Sequence, residues 1–402
     1  MTLSTDPRHD FVSSAHGVRV HSGRGALQAL KPELVRLGCR RPLLLCGESV
    51  AATGLPERMA ANLGHGDAAV FTGLGREAPL EAVARAVAVA RRVGADGLVA
   101  IGAGSTLRAA RVVAILLAED RPAADLVTRY PAQGPAVSAR LPAPKLPIVN
   151  VLTAATTAQN RGGSALVAEG WEHRLEFFDP KTRPRAIFWD AEALMTAPDR
   201  LVRDNGAVVW WRALMSLAVV GRANPLVQAS RHQAWALART AMAGLATPEG
   251  LRQPGLRIDL CAAALLQNRD EDDGGEPMQA HLATRLVYAL GAALFARMPG
   301  ISQAAAYSAL TPAALVDAEP HVLAGLAEAM GLAGGAAGVD VRRAVEQDLL
   351  ALGQPVRLRD LLPDAGGLQA IADFAGRSFN ADREREFQRR PQWLVEVLQR
   401  AW

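Results

Sequence analysis

Short apolar runs alternate with amphipathic helical patterns up to about residue 190, and this alternation constrains the fold more than any other feature of the sequence. In Leu80–Val93, apolar residues recur at steps of three and four, which is typical of a helix packed on one face. Short apolar runs typical of buried strands lie at 42–46, 68–71, 97–101, 147–152 and 185–189. Because strands alternating with helices form parallel sheets covered by helices, the sequence predicts an α/β domain.

The character of the chain changes after Asp190. Stretches rich in alanine and leucine follow at 204–245, 256–266 and 281–297. Few segments there have the composition of strands, so we predict an all-α C-terminal domain, with domains of 1–192 and 193–402. The segment 268–277 combines Asp, Glu and Gly between two helical patterns, which predicts a solvated surface loop.

The charge of the chain does not favour a nucleic-acid partner. Its 44 basic and 40 acidic residues give a formal net charge of +4, and the basic residues are scattered along the sequence. The three cysteines form no CxxC pair, which is typical of buried thiols in a reducing compartment. The apolar runs are too short to span a bilayer, and the N-terminus has no apolar signal segment. We therefore expect a cytoplasmic protein with no membrane association.

Two glycines separate the apolar run 97–101 from the helical pattern that follows it. Gly102 and Gly104 allow a tight turn and a close approach of the backbone to a bound group. The helix that begins near Ser105 would offer unpaired N–H groups and a positive dipole end to a phosphate. Glycines also occur at such turns for packing alone, so this motif leaves dinucleotide binding open.

Four blocks, in order and at matching distances, resemble one protein family. Residues 21–30 (HSGRGALQAL) resemble F-G-x-G-A-x-x-x-L, and 95–105 resemble A-D-x-L-V-A-I-G-G-G-S. Residues 146–157 resemble L-P-x-x-A-I-P-T-T-A-G-T, and 179–190 resemble the segment that links the family's two domains. The chain thus resembles the iron-containing alcohol dehydrogenases and maleylacetate reductases. The resemblance implies their dehydroquinate synthase-like fold, an α/β dinucleotide-binding domain with a parallel sheet followed by an all-α domain.

The resemblance also implies a nicotinamide cofactor, NAD(P)H, in the N-terminal domain. The pyrophosphate of the cofactor would lie on Gly102, Gly104 and Ser105. Thr153 and Thr157 would line the nicotinamide side.

Departures from the family pattern bear on this cofactor. Where many relatives carry an Asp at the end of the first nucleotide strand, this chain has Gly47. Since an Asp would repel a 2′-phosphate, Gly47 weakly favours NADPH over NADH. The family's Asp and Lys after the glycine turn are Arg108 and Arg111 here, and its Glu after the threonine block is Asn160. These replacements weaken the case for cofactor binding.

The metal ligands of the family are replaced. Relatives bind iron or zinc through an Asp, a His four residues later on the same helix, and two His from later helices. The matching positions here are Val208, Arg212 and Thr284, and the last ligand falls near 298–303, where there is no His. Tyr288 stands where relatives have a His that relays protons. We therefore expect no metal.

A cation at position 212 suggests a substitute for the metal. The planar fork of Arg212 suits a carboxylate or a developing oxyanion, and Tyr288 could donate a proton. Thr284 and Arg285 complete the candidate catalytic set, with Arg285 converging on the same pocket. In the alternative interpretation, Arg212 forms an ordinary ion pair, for example with Asp204, and Tyr288 packs in the core.

Other aromatic and imidazole side chains are weaker candidates. Adjacent helical residues diverge by about 100°, so one of Trp210 and Trp211 should face the cleft while the other packs against helices. His232 and His281 have no partner spacing typical of catalysis, which favours structural roles.

These features favour a metal-independent NAD(P)H-dependent reductase acting on a small carbonyl or unsaturated acid, with the maleylacetate reductases as the nearest model. Two alternatives stay open: a non-redox enzyme (a lyase, dehydratase or cyclase) that reuses the interdomain cleft, and a catalytically silent binding subunit. Retained nicotinamide binding would separate the reductase from both. A homodimer is expected from the family.

Overall fold

The computed structural model describes residues 11–14, 17–64, 68–75, 77–131, 134–169, 174–275, 281–298, 300–333, 338–378 and 381–402. They form two compact units. The first, here called the α/β unit, consists of Gly17–Pro198 and Arg252–Cys261. The second, the helical unit, consists of residues 11–14, Asp199–Leu251 and Ala262–Trp402. The domain division after residue 192 stays a prediction.

A six-stranded parallel sheet forms the centre of the α/β unit, in the order β1-β8-β5-β4-β2-β3. The strands of this sheet are β1 Arg19–Gly23, β2 Pro42–Leu45, β3 Ala69–Phe71, β4 Gly97–Gly102, β5 Ile148–Leu152 and β8 Ala186–Asp190. A separate antiparallel hairpin consists of β6 Gly163–Leu166 and β7 Leu175–Phe178. The five strands predicted from apolar runs are all present. The sequence pattern does not predict β1, β6 and β7, because their residues are partly exposed and lack a continuous apolar run.

Helices cover the parallel sheet, as the alternating pattern predicts. They are α1 Leu30–Arg36, α2 Glu48–Ala51, α3 Leu55–Leu63, α4 Leu80–Val93, α5 Gly104–Glu119 and α6 Ala191–Met195. The central strand β4 is buried along its whole length, and Leu44, Val99 and Phe188 pack with α1 and α3 in one core. The sheet therefore provides a rigid base for the loops at its carboxyl edge.

The block 21–30 is tied to the end of β8. Gly23 and Gly25 have φ of +107° and +74°, a region that suits glycine because it has no Cβ. The backbone N–H of Leu27 donates to Asp190 Oδ2, and Asp190 Oδ1 also caps α6. The family-like glycines and Asp190 therefore have a structural role in joining β1 to β8.

The helical unit is built from long Ala- and Leu-rich helices. They are α7 Asp199–Leu217, α8 Pro225–Leu245, α9 Pro248–Leu251, α10 Pro254–Asp272, α11 Leu282–Arg297, α12 Gln303–Ala314, α13 Pro320–Met330, α14 Gly338–Ala351, α15 Leu368–Ala375, α16 Glu386–Arg389 and α17 Pro391–Ala401. Of α10, the residues up to Cys261 belong to the α/β unit. Asn224 and Ser302 cap the N-termini of α8 and α12 through their side-chain oxygens. The predicted all-α C-terminal domain is confirmed.

The expectation that one of the paired tryptophans faces a cleft is wrong. Trp210 and Trp211 are both buried within the helical unit. Trp210 packs against Trp235 at 5.6 Å between ring centroids, and Trp211 donates its indole N–H to Thr311 Oγ1 at 2.8 Å. Two large aromatic rings can both be buried because α7 has neighbours on several sides.

The prediction of a surface loop at 268–277 is also wrong for the first half of that segment. The helix α10 continues to Asp272, and Asn268, Asp270 and Asp273 are buried. Asp270 Oδ2 accepts from Arg231 Nε at 2.9 Å, so its charge has a partner inside the helical unit. Residues 276 and 277, the end of the predicted loop, lie outside the described residues.

All three cysteines are free and buried, as predicted. Among the described residues, we find no helix that combines the length and apolar character needed to cross a membrane.

Candidate functional site

The glycine turn lies at the carboxyl end of β4, where α5 begins. Gly102 has a φ of +153°, and a Cβ at this position would lie 2.7 Å from Thr106 Oγ1. Ala103, at the N-cap of α5, has no side-chain acceptor for the first N–H groups of the helix. Gly104 and Ser105 are half-buried in this first turn. The turn therefore presents backbone donors and a dipole end without a side chain to block them.

The threonine loop, residues 153–161, follows the neighbouring strand β5. Thr153 donates its backbone N–H to the Gly102 carbonyl at 3.1 Å, which places the loop beside the glycine turn. A Cβ on Gly104 would lie 3.4 Å from Thr156 Oγ1, an ordinary van der Waals contact. Thr153 is buried, and Thr157 is half-buried. The structure thus brings together five of the six predicted cofactor residues: Gly102, Gly104, Ser105, Thr153 and Thr157.

The buried side-chain amides of Asn150 and Gln159 hold the threonine loop in place through hydrogen bonds. Asn150 Nδ2 donates to the Gln159 carbonyl at 2.7 Å. The side chain of Gln159 accepts from Trp189 Nε1 at 2.9 Å and donates to the Cys261 carbonyl at 2.8 Å. Sequence reasoning misses this network, although an Asn in the middle of an otherwise apolar strand is a signal that could have indicated it.

Two arginines of α5, Arg108 and Arg111, lie about one and two helical turns after Gly104. Arg111 is buried and donates to the Ala158 carbonyl at 2.8 Å and to Ser164 Oγ at 2.9 Å. Arg108 donates to Glu77 Oε2 at 2.9 Å and to the Ala165 carbonyl at 3.1 Å. From the sequence alone, both arginines are departures that weaken the case for cofactor binding. In the structure, both side chains have defined hydrogen-bond partners.

Gly47, the sixth predicted cofactor residue, begins α2 at the end of β2. A Cβ at this position would lie 2.7 Å from the Leu74 carbonyl oxygen, so any side chain requires the backbone around Leu74 to shift. The absence of an Asp at this position is therefore required by local packing, in addition to any effect on the cofactor.

Arg212 lies on α7, one turn after Val208. Its Nη1 donates to Asn268 Oδ1 at 2.9 Å, and its Nη2 donates to the Gln267 carbonyl at 3.4 Å. Gln267 in turn donates to the Val209 carbonyl at 2.8 Å. These contacts hold the guanidinium of Arg212 against α10.

Thr284 and His281 form the first turn of α11. His281 caps the helix by accepting the N–H of Thr284, and its Nε2 lies 3.1 Å from the Met215 carbonyl and 2.9 Å from Thr284 Oγ1. Burial lowers the pKa of His281, which favours the neutral imidazole that this capping needs. The structural role expected for His281 agrees with these contacts.

Arg285 is engaged by the C-terminal segment of the chain. It donates to Asp382 Oδ1 at 3.0 Å and to the Ala381 carbonyl at 2.9 Å, and it stacks over Phe387 at 5.0 Å. These contacts give Arg285 a structural role, because the buried Asp382 depends on it as a charged partner. Tyr288, one turn further along α11 from Thr284, is half-buried.

The residues at the family's metal positions do not fit iron or zinc. Val208 has no donor atom, Arg212 is a permanent cation, and the hydroxyl of Thr284 is hydrogen-bonded to His281. Within the part of the chain that the structure describes, we find no group of three or more His, Cys, Asp or Glu side chains able to hold a metal ion.

Comparison with known proteins shows what the chain is similar to. Residues 17–191 match the family model of the iron-containing alcohol dehydrogenases. The chain is 31% identical to the 4-hydroxybutyrate dehydrogenase of Cupriavidus necator over 188 residues, which is 46% of this chain and 48% of that protein. It is 26% identical to the maleylacetate reductase of Rhizobium sp. (strain MTP-10005) over 386 residues, 91% of each.

A solved structure shares the fold over almost the whole chain. The NADH-dependent butanol dehydrogenase A of Thermotoga maritima superposes with a TM-score of 0.81 at 18% identity, covering 99% of this chain and 100% of that one. The N-terminal part of the chain thus matches the iron-containing alcohol dehydrogenases, and the chain as a whole is similar to a maleylacetate reductase and shares the fold of a butanol dehydrogenase. It spans only about half the length of the 4-hydroxybutyrate dehydrogenase that it matches.

Proposed function

We propose that this protein is a metal-independent, NAD(P)H-dependent reductase that acts on a small carbonyl or unsaturated acid. The glycine turn beside the threonine loop is the observation that carries the proposal, since its unobstructed backbone donors suit a pyrophosphate. The similarity to the iron-containing alcohol dehydrogenases and to a maleylacetate reductase supports an oxidoreductase. Small molecules are the expected partners, and we propose a cytoplasmic homodimer on the family model.

The cofactor would be held by the α/β unit. Gly102, Gly104 and Ser105 would bind its phosphates through backbone N–H groups, and Thr153 and Thr157 would orient the nicotinamide. A reduced nicotinamide supplies the hydride for such a reduction. The threonine loop would orient this group in one position, because the hydrogen bonds of Asn150 and Gln159 hold the loop in place.

NADPH is the nucleotide that we expect to bind more tightly. Gly47 leaves no acidic side chain at the end of β2 to repel a 2′-phosphate. In this chain a side chain at position 47 would require the backbone around Leu74 to shift, which favours glycine there.

The substrate that we propose carries a carboxylate. The names of two relatives, a 4-hydroxybutyrate dehydrogenase and a maleylacetate reductase, both denote acidic substrates. The planar fork of Arg212 suits a carboxylate, and its contacts with α10 hold that fork in one orientation. We propose that Arg212 binds the substrate and stabilises negative charge, that Tyr288 donates the proton, and that Thr284 borders the same site. Arg285 is left out of this set because Asp382 engages it.

The replaced ligands support the proposal of metal independence. Val208 and Arg212 occupy the helical pair of positions, and neither offers a lone pair to a metal. A fixed cation can polarise a carbonyl oxygen in place of a metal, since both place positive charge where the alkoxide develops.

Titration of NADPH and NADH into chelator-treated protein tests the proposal. Energy transfer from tryptophan to the nicotinamide reports binding. We expect saturable binding without metal, tighter for NADPH, and turnover of keto or enol acids that added Fe²⁺ or Zn²⁺ does not stimulate. If neither nucleotide binds at millimolar concentration, the reductase is excluded, and a non-redox enzyme or a silent binding subunit takes its place. Turnover that requires added metal would contradict metal independence and leave the proposed NAD(P)H-dependent reduction intact.

A further inference from the structure

Arg111 is a buried cation without an acidic partner. Its residue is 2% exposed, and its hydrogen bonds go to neutral acceptors, the Ala158 carbonyl and Ser164 Oγ. Within the described residues, no carboxylate forms an ion pair with it. Buried charges in proteins are usually paired, because removing an ion from water costs several kcal/mol even after relaxation, on the order of what a whole domain gains from folding.

Other arginines increase the positive charge around Arg111. Burial lowers the pKa of Arg111 to about 9, and the charges of Arg108 and Arg161 act in the same direction. The guanidinium still carries its charge at neutral pH. Arg108 is compensated by Glu77, at 2.9 Å. Among the described residues, Arg111 is therefore a buried positive charge that no carboxylate offsets.

Short contacts connect Arg111 with the glycine turn. Arg111, Arg108 and Gly104 lie on one face of α5, at helical steps of three and four residues. Arg111 binds the Ala158 carbonyl, and the N–H of Ala158 donates to Thr156 Oγ1, which lies against Gly104. Long helical side chains also lean toward the N-terminus of their helix, which brings this guanidinium toward the turn.

We propose that Arg111 is the buried counter-charge of the phosphates bound at the glycine turn, and so a positioning residue that sets the affinity for anionic ligands. The inference rests on the proposed function, which supplies the anion. An uncompensated cation raises the free energy of the unliganded protein, and an anion at the end of α5 lowers it again. Because the charge is buried, salt screens this attraction less than it screens surface charges.

The test compares three variants of the full-length protein with ADP as the anionic probe. Arg111→Gln removes the charge and keeps one N–H donor for Ala158, and Arg111→Lys keeps the charge. Ser164→Ala is the matched control, since it removes one hydrogen bond of Arg111 and leaves the charge. Calorimetry gives the ADP affinity, and thermal unfolding without ligand gives the stability of each variant.

We expect Arg111→Gln to weaken ADP binding about 10- to 100-fold, as for removal of one partner of a buried charge pair. Its unliganded melting temperature should equal or exceed that of the natural protein, and Arg111→Lys should recover much of the affinity. An ADP affinity within about twofold of the natural value in Arg111→Gln overturns the inference, as does an equal loss in Ser164→Ala. Binding of ADP without binding of NADPH or NADH refutes the reductase while leaving the role of Arg111 intact.

Discussion

The guanidinium of Arg212 donates to the amide oxygen of Asn268 across 2.9 Å, so that a cation on α7 is held by a residue of α10. The amide oxygen is a neutral acceptor, and it fixes the direction of one arm of the guanidinium.

Replacement of Arg212 should remove turnover and spare nucleotide binding. We expect Arg212→Ala to lower kcat/KM at least about 100-fold, because a charge-assisted bidentate contact is lost. NADPH affinity should stay within about twofold, since Arg212 is not among the residues proposed to bind the cofactor. Steady-state kinetics and nucleotide titration give the two values. Arg200→Ala, which removes an exposed cation from the same helix, is the control. Unchanged kcat/KM in Arg212→Ala would exclude a role in the reaction.

Substitution of Gly102 should disturb the glycine turn in two ways. Gly102→Ala places a Cβ 2.7 Å from Thr106 Oγ1 and forces a side chain into a backbone conformation with φ of +153°. We expect a loss of about 1–3 kcal/mol in the free energy of unfolding and loss of NADPH binding. Chemical denaturation and nucleotide titration measure these effects.

The control for this substitution is Gly255→Ala in α10, where no heavy atom lies within 4 Å of an added Cβ. Alanine there should leave nucleotide binding unchanged and add about 0.5–1 kcal/mol of stability, because helices prefer it to glycine. If Gly102→Ala behaves like this control, the turn has no special conformational role.

The sequence predicts the α/β unit better than the contents of the site. The strands around Gly102 are continuous apolar runs, and the glycine turn follows one of them directly, so local patterns suffice. Asn268 and Asp270 look like loop residues because their partners, Arg212 and Arg231, lie 56 and 39 positions away. Local charge patterns carry no information about such distant partners. For the same reason, the sequence shows only that Arg111 stands in place of the family's lysine, and not that it contacts Ala158 and Ser164.

The buried thiols should be chemically inert in the folded protein. Burial raises the pKa of Cys39 and of Cys46 to about 11, with smaller contributions from Asp96 and Glu57 respectively, and burial also raises the pKa of Cys261. The thiolate is the reactive species, so little of it forms at pH 8. We expect fewer than one equivalent of thiol to react with a chromogenic disulfide reagent in the native state, and all three after denaturation. Rapid reaction of the native protein would contradict this assignment of buried thiols.

Asp317 should make docking of the C-terminal helix sensitive to acid. Burial acts to raise its pKa, but hydrogen bonds from Arg400 and Trp393 and the charges of Arg400 and Arg390 outweigh this and hold the pKa below its ordinary value. A carboxylate with a lowered folded pKa stabilises the folded state above its unfolded pKa, and this stabilisation disappears as the pH falls through the folded value. The affected window therefore lies at and below about pH 4.

The variant Asp317→Asn should reveal this contribution at neutral pH. We expect a loss of about 1.5–3 kcal/mol in the free energy of unfolding at pH 7, as for hydrogen bonds to a charged group. The difference from the natural protein should shrink steadily below pH 4, because the natural carboxylate is then neutralised as well. Urea denaturation at a series of pH values measures both effects, with the exposed Asp360→Asn as control. A difference that stays constant between pH 7 and pH 3 would mean that the charge of Asp317 contributes nothing, and that Arg400 and Trp393 hold α17 through neutral contacts alone.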